Sequence, residues 1–275
     1  RAYADAIATY MALSVSRCAD YWSSICSWHN TGEKMRNVFA RQAIPMVWDF
    51  AEANPFSQSS GNFLGQLEWV AKAVERVPAD SAGNARQLSA DARDYTGLVV
   101  STDPPYYDNI GYSDLSDFFY VWLRRCLQGI HPSVVSTMLT PKAEELVANP
   151  YRHEGKENAA KFFVDGFNTV FHRICDGANP DVPMTVYYAY KQQDSGKDGK
   201  TSTGWHTLLD GLIGAGWEVT ATWPVRSELT NRMLSQGTNA LASSIVLACR
   251  PRPSDAPTTT QRAFVQRMKS ELPGA

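Results

Sequence analysis

The sequence predicts an α/β fold, a doubly wound sheet preceded by a helical segment, and three observations support this. After Pro78, segments of strand composition alternate with segments of helical periodicity. The run 97–102, Gly-Leu-Val-Val-Ser-Thr, is apolar and partly β-branched, as is typical of a buried strand in a parallel sheet. The last two predicted strands, 217–225 and 243–249, are joined by a polar loop instead of a helix. They therefore predict an antiparallel hairpin at one edge of the sheet.

Residues 1–78 are predicted to form a helical segment. Apolar side chains recur three or four positions apart near both ends of it. Between the two helices, residues 54–61 are rich in turn formers and predict a loop, with Ser60 as the cap of the second helix. The apolar stripes consist of Ala6, Tyr10 and Leu13 in the first helix and Phe63, Leu67, Val70 and Val74 in the second.

Residues 79–252 are predicted to form the sheet domain. Its first strand is expected over 85–92 and ends at Asp91. After strand 97–102, two prolines prevent both a strand and a helix from continuing. The later predicted elements are helix 115–127, helix 157–176, strand 184–190, loop 191–203, helix 205–213, the two final strands, and 253–275, a linker that leads into a last helix over 259–271.

Composition and charge exclude several classes of protein. A chain of 275 residues with 44% hydrophobic residues builds one large domain or two small ones with a substantial core, which excludes wholesale disorder and collagen-like structure. The chain has 26 Lys and Arg residues and 28 Asp and Glu residues, so its net charge is -2. This charge does not indicate a protein that binds nucleic acid through an overall positive charge. There is no run of about 18 apolar residues, so no membrane span is expected.

The five cysteines indicate a reducing compartment. Their number is odd, they are widely spaced and they form no Cys-x-x-Cys pair, so we expect neither a disulfide framework nor a metal site, and a cytoplasmic location. The chain begins at Arg1 without a basic and then apolar leader, so no secretory signal is expected. Because it starts without Met inside a helical pattern, we expect it to be part of a longer polypeptide.

The most specific motif is Asp103-Pro104-Pro105-Tyr106, which directly follows strand 97–102. Open α/β sheets bind their ligands at the carboxyl ends of their strands, so the position favours a functional site. The alternative is an Asp-Pro turn that caps the next helix.

This motif resembles the (Asp/Asn/Ser)-Pro-Pro-(Tyr/Phe) motif of the DNA amino-methyltransferases, which methylate adenine N6 or cytosine N4. The stretch from Asp103 to Arg124, with its aromatic helix, is similar to large prokaryotic adenine-specific DNA methylases that begin with a domain of unknown function. The segment from Trp48 to Phe63, upstream of the motif, is similar to the same proteins. The resemblance implies a partial Rossmann-like class I methyltransferase fold, S-adenosylmethionine as cofactor, DNA as partner and adenine N6 as target.

The residue types of the motif suit methyl transfer to an exocyclic amino group. The Asp103 carboxylate and the Pro104 carbonyl each accept one amino hydrogen, which favours a tetrahedral nitrogen with an available lone pair. Pro105 keeps the turn rigid. Tyr106 would stack on the target base, a contact worth about 1–3 kcal/mol. The base must be flipped out of the duplex or presented single-stranded.

Residues on both sides of the motif complete the site that the resemblance implies. The sequence Ser-Ala-Asp-Ala at 89–92 is similar to the family's acidic position at the end of a strand, where an Asp bonds the adenine of the cofactor. A surface role for Asp91, and cap or turn roles for Asn109 and Tyr112, stay open as alternatives. The implied cofactor residues are Asp91, Ala92 and Asp103, and the implied substrate residues are Tyr106, Asn109 and Tyr112.

One feature of the family is missing. These enzymes carry a Phe-x-Gly-x-Gly type loop that holds the methionine part of the cofactor, because Gly allows close backbone approach. Here Gly61 and Gly65 lie in a different context, and Gly211, Gly214 and Gly216 lie around a helix end. We therefore expect that the amino-terminal part of the parent polypeptide supplies this loop, and that the isolated chain binds the cofactor weakly or not at all.

Other functions are compatible with the same residues. The motif also serves cytosine N4, and related enzymes methylate RNA or protein glutamine, although these usually carry Asn where this chain has Asp103. A third hypothesis is a non-catalytic or cofactor-deficient binding module within a larger DNA modification or defence protein.

Overall fold

The computed structural model describes residues 1–40, 43–78, 80–84, 86–105, 107, 110–189, 203–225 and 244–271. These residues form helices and strands of a mixed α/β protein. In chain order the elements are α1 (Ala2–Ala19), β1 (Ser27–His29), β2 (Lys34–Arg36), α2 (Phe63–Arg76), β3 (Ser101–Thr102), α3 (Tyr112–Leu127), α4 (Lys156–Gly177), β4 (Met184–Ala189), α5 (Thr203–Gly214), β5 (Trp217–Val225), β6 (Ser244–Pro251) and α6 (Gln261–Glu271).

The chain divides into two compact units, each built from two separate stretches. The first unit contains Arg1–Ala92 and Tyr107–Ala160, and the second contains Arg93–Tyr106 and Lys161–Ala275. The domain limits predicted from the sequence divide the chain into consecutive ranges by composition. The contacts between residues instead group separate stretches into one unit. Those limits therefore stay a prediction.

The second unit is built on a four-stranded mixed sheet in the order β3-β4-β6-β5. Strand β3 pairs with β4 in parallel, with Ser101 opposite Thr185 and Thr102 opposite Val186. Strand β6 is antiparallel to both β4 and β5. The α/β class is thus confirmed, and so is the antiparallel pairing of the last two strands. Within the described strands, only one pair of this sheet is parallel, which is fewer than a doubly wound sheet would have.

Helix α4 supplies the second unit with a row of buried aromatic rings. Phe163, Phe167 and Phe171 are four residues apart, so they lie on one face of the helix, and none is more than 4% exposed. The first two rings stack with centroids 4.4 Å apart, and the next two meet edge to face at 5.3 Å. Trp217, the first residue of β5, donates its indole N–H to the Phe171 carbonyl at 3.0 Å.

In the first unit, α1 packs on α3. The buried cluster between them contains Ala12, Tyr120, Leu127 and Val135. Strands β1 and β2 form an antiparallel hairpin. Across the described ranges no helix is both long and apolar enough to cross a membrane.

Helix α2 begins at Phe63, and its cap differs from the predicted one. The Asn62 side chain, instead of Ser60, accepts a hydrogen bond from the Gly65 amide at 2.7 Å. The bond satisfies one of the amides that the first helical turn leaves without a partner. The predicted Ser60 cap was therefore wrong by two residues.

Two strand predictions were wrong in extent. The predicted strand 85–92 contains no strand among its described residues; it ends in a single 3-10 turn at Ala90–Ala92. Of the predicted buried strand 97–102, only Ser101–Thr102 is paired, and Val99 is 70% exposed. Within the described residues, β3 is the edge strand of its sheet, so no neighbouring strand covers its outer side.

The other predicted elements are observed close to their expected positions. Helix 157–176 and strand 217–225 are confirmed as α4 and β5, and α3 begins three residues before the predicted 115. The predicted loop 191–203 lies, up to Ser202, outside the described residues.

Candidate active site

The described part of the motif, Asp103, Pro104 and Pro105, directly follows β3 and therefore lies at its carboxyl end. Pro104 is buried, Pro105 is half-buried and Asp103 is exposed. The pyrrolidine rings fix φ and remove the backbone donors, so the chain leaves the strand in a rigid turn. The Asp103 carboxylate is thus placed on the surface at the edge where strand β3 ends.

The pairing of the strands brings three further strand ends to the same edge. Strand β4 runs parallel to β3 and ends at Ala189, which lies opposite Ser244 at the start of β6. Ser244 in turn lies opposite Val225 at the end of β5. Near this edge Tyr188 is 5% exposed, and its ring lies 5.8 Å from that of Trp205. This is the edge at which open α/β sheets bind ligands.

The remaining predicted site residues fall in other places. Asp91 and Ala92 are exposed on the 3-10 turn of the first unit. Asp91 was expected at the end of a strand, and it does not lie there. Tyr112 is the first residue of α3 and is 44% exposed, also in the first unit. Tyr106 and Asn109 lie outside the described residues. Of the predicted site residues that the structure describes, Asp103, Pro104 and Pro105 lie in the second unit, and Asp91, Ala92 and Tyr112 lie in the first.

A groove between α4 and α5 is separate from this set of residues. Its volume is about 230 Å³. No predicted site residue lines it. The lining residues are Val164, Asn168, His172, Thr207, Asp210, Gly211 and Gly214.

The described cysteines form no disulfide. All five are free, and Cys18, Cys26 and Cys249 are buried. Burial raises the pKa of the Cys249 thiol to about 11, so the thiol stays protonated at neutral pH. In the portion of the chain that the structure describes, no three or more His, Cys, Asp or Glu side chains are grouped to hold a metal ion.

Sequence reasoning missed an ion-pair network at the start of α3. Arg152 donates to Glu145 at 2.7 Å and to Asp114 at 2.5 Å. Glu145 also accepts hydrogen bonds from the Ser113 amide at 2.8 Å and the Ser113 hydroxyl at 2.5 Å. A second pair joins Lys142 to Asp117 at 2.6 Å. The acidic residues in the first turns of the helix are visible in the sequence, but no local signal indicates partners some 30 residues further along.

These contacts lower the pKa of two of the acidic partners, Glu145 and Asp117. Burial acts to raise the pKa of Glu145, but hydrogen bonds from Ser113 and Arg152 outweigh it and hold the pKa below its usual value. Burial also acts to raise the pKa of Asp117, but the hydrogen bonds from Lys142 and Thr140 outweigh it. The pKa of Asp117 is therefore lower than its ordinary value. Both carboxylates are therefore ionised at neutral pH.

We expect Glu145 to make the stability of the protein dependent on acidity. Its pKa is lower in the folded chain than the ordinary 4.5, so its contribution is complete above that value and is lost as the pH falls through the folded value. Urea unfolding between about pH 7 and about pH 3 checks this for wild type and Glu145→Gln. The difference in unfolding free energy between the two should shrink on acidification; a constant difference would contradict the prediction.

Comparison with protein-family models, with curated proteins and with solved structures found no match for this chain. The function is therefore inferred from the motif, the edge of the sheet and the contacts around α3.

Proposed function

We propose that this chain carries the substrate-binding and catalytic part of an S-adenosylmethionine-dependent DNA amino-methyltransferase that acts on adenine N6. The observation that carries the proposal is the Asp103-Pro104-Pro105 turn, which directly follows a strand of a mixed α/β sheet. It is supported by the parallel β3-β4 pair and by the antiparallel β5-β6 ending, which are features of the class I methyltransferase fold that the sequence resembles.

In this function the turn activates the amino group of the base. The lone pair of that nitrogen is delocalised into the ring, so the group is a poor nucleophile. The Asp103 carboxylate and the Pro104 carbonyl accept its two hydrogens, which favours a tetrahedral nitrogen and makes the lone pair available. Rigid acceptors require no rearrangement during the reaction, and one such group contributes about 3–4 kcal/mol. Tyr106 is proposed to stack on the base.

S-adenosylmethionine, when bound, supplies the electrophilic methyl group. The described residues do not form a complete cradle for it, because Asp91 lies on an exposed turn and not at the end of a strand. We propose that residues of the parent polypeptide outside this chain complete the cradle. The cofactor is therefore expected to bind weakly to the chain alone.

A second candidate is a cofactor-deficient DNA-binding module of a larger modification protein. The observation that favours it is the position of Asp91 on an exposed turn. In the enzymes that the sequence resembles, the acidic residue that binds the cofactor stands at the end of a strand. DNA binding without any cofactor binding, even when the amino-terminal part of the parent is present, would support this candidate.

Transfer of labelled methyl groups to oligonucleotides tests the leading proposal. The chain is assayed alone and as part of its parent polypeptide, with an adenine-containing oligonucleotide and with one in which purine replaces adenine and removes the amino group. We expect label only in the adenine-containing DNA, and stronger transfer by the parent. Cofactor binding by the parent without transfer to either oligonucleotide would overturn the assignment.

A further inference from the structure

The chain that follows the motif is held by residues 145–152. The Tyr107 carbonyl accepts a hydrogen bond from the Ala148 amide at 2.7 Å. Six residues later, Ser113 donates to Glu145 through both its amide and its hydroxyl. Tyr107 and Ser113 are therefore two fixed points, one before Tyr112 and one after it, and both belong to the first unit.

Arg152 links the start of α3 to residues 142–145. Besides Glu145 and Asp114, its guanidinium donates to the Ser113 hydroxyl and to the Lys142 carbonyl, both at 3.2 Å. The side chains of Arg152 and Glu145 are only 18% and 14% exposed, so solvent weakens these contacts little. A planar guanidinium fork serves several acceptors at once, which a lysine ammonium cannot reproduce with the same geometry.

Gly111 shows how closely the chain approaches this network. A Cβ at this position would lie 2.7 Å from an Asp114 carboxylate oxygen and 3.6 Å from an Arg152 nitrogen. The backbone before Tyr112 therefore packs directly against the ion pairs.

We propose that Arg152 and Glu145 are positioning residues, which fix Tyr112 and the start of α3 so that this part of the first unit is ordered before the base arrives. This inference rests on the proposed function, because Tyr112 is a substrate residue only in that context. Tyr112 directly precedes Ser113, so this implied substrate residue is next to a fixed point. A surface ordered in advance loses less conformational entropy on binding.

The test compares two broken ion pairs that involve the same helix. Arg152→Met keeps the length of the side chain but removes all its hydrogen bonds, and Arg152→Lys keeps the charge but loses the planar fork of donors. Lys142→Met is the matched control, since it breaks the 2.6 Å pair with Asp117, whose side chains are 28% and 23% exposed. Binding of an oligonucleotide that carries the fluorescent base 2-aminopurine is measured together with hydrogen exchange of the amides of Ser113 and Ala148.

We expect Arg152→Met to weaken oligonucleotide binding about tenfold and to speed exchange of both amides, with Arg152→Lys intermediate. Lys142→Met should lower the midpoint of urea unfolding while leaving binding within about twofold of wild type. Equal binding by wild type and Arg152→Met, or equal weakening by Lys142→Met, would overturn the positioning role. If wild type binds no oligonucleotide, the proposed function fails. Unchanged hydrogen exchange in Arg152→Met would separately show that the ion pairs do not order the start of α3.

Discussion

Asp103→Ala is expected to lower methyl transfer to adenine by about 100- to 1000-fold, the usual loss when one preorganised group that stabilises developing charge is removed. The carboxylate accepts one of the two amino hydrogens, and without it the nitrogen keeps its planar, delocalised form. Asp103 is exposed, so the substitution leaves no cavity in the core. Transfer is measured with labelled cofactor and an adenine-containing oligonucleotide.

Asp103→Asn is the matched variant for this experiment. It retains one carbonyl acceptor of similar size but loses the negative charge, so its activity should lie between those of wild type and Asp103→Ala. The motif that this chain resembles also occurs with Asn in the first position, which is consistent with residual transfer. Full activity of Asp103→Ala would show that the motif is only a turn.

Trp217→Ala is expected to destabilise the second unit by about 3–5 kcal/mol, the range for removal of a buried large aromatic side chain. Trp217 is 2% exposed at the start of β5, and it donates to the Phe171 carbonyl in the aromatic row of α4. The substitution creates a cavity and leaves that carbonyl without its partner. Urea unfolding followed by circular dichroism measures the loss.

Two controls separate the cavity from the hydrogen bond. Trp217→Phe keeps most of the apolar volume, so it should cost about 1–3 kcal/mol, mainly through the lost bond. Trp223→Ala removes the same side chain from the same strand at a position that is 53% exposed, and should cost less than about 0.5 kcal/mol. Similar losses for Trp217→Ala and Trp223→Ala would contradict the interpretation that burial determines the effect.

Local periodicity was sufficient to predict much of the fold. The spacing of Phe163, Phe167 and Phe171 by four residues predicts one helical face, and this face is buried as expected. The strand over 217–225 was predicted with its observed limits, since a glycine before it and its own β-branched and aromatic residues both indicate a strand.

Strand pairing could not be predicted in the same way. Residues 97–102 have the composition of a buried strand, yet only Ser101 and Thr102 are paired. Whether such a run becomes a long strand depends on neighbours on both sides, and no local pattern specifies those neighbours. The strand expected to end at Asp91 failed for the same reason.

One part of the candidate site could be predicted from local sequence, and the contacts around Ser113 could not. The position of Asp103 at the end of a strand follows from the short apolar run and the two prolines after it, and the structure places it there. The network that holds Ser113 does not follow from any local pattern, because Glu145 and Arg152 lie 32 and 39 residues away. Contacts over that separation depend on the folded path of the chain.

The outer side of β3 has a practical consequence for anyone who purifies this chain. Within the described residues no strand pairs with that side, Leu98 and Val99 are 38% and 70% exposed, and no charge or proline interrupts residues 97–102. Natural sheets usually protect such edges with lysine, proline or a bulge. Concentrated samples should therefore tend to associate through strand addition, and dilute conditions or a lysine introduced at Val99 should keep the chain dispersed.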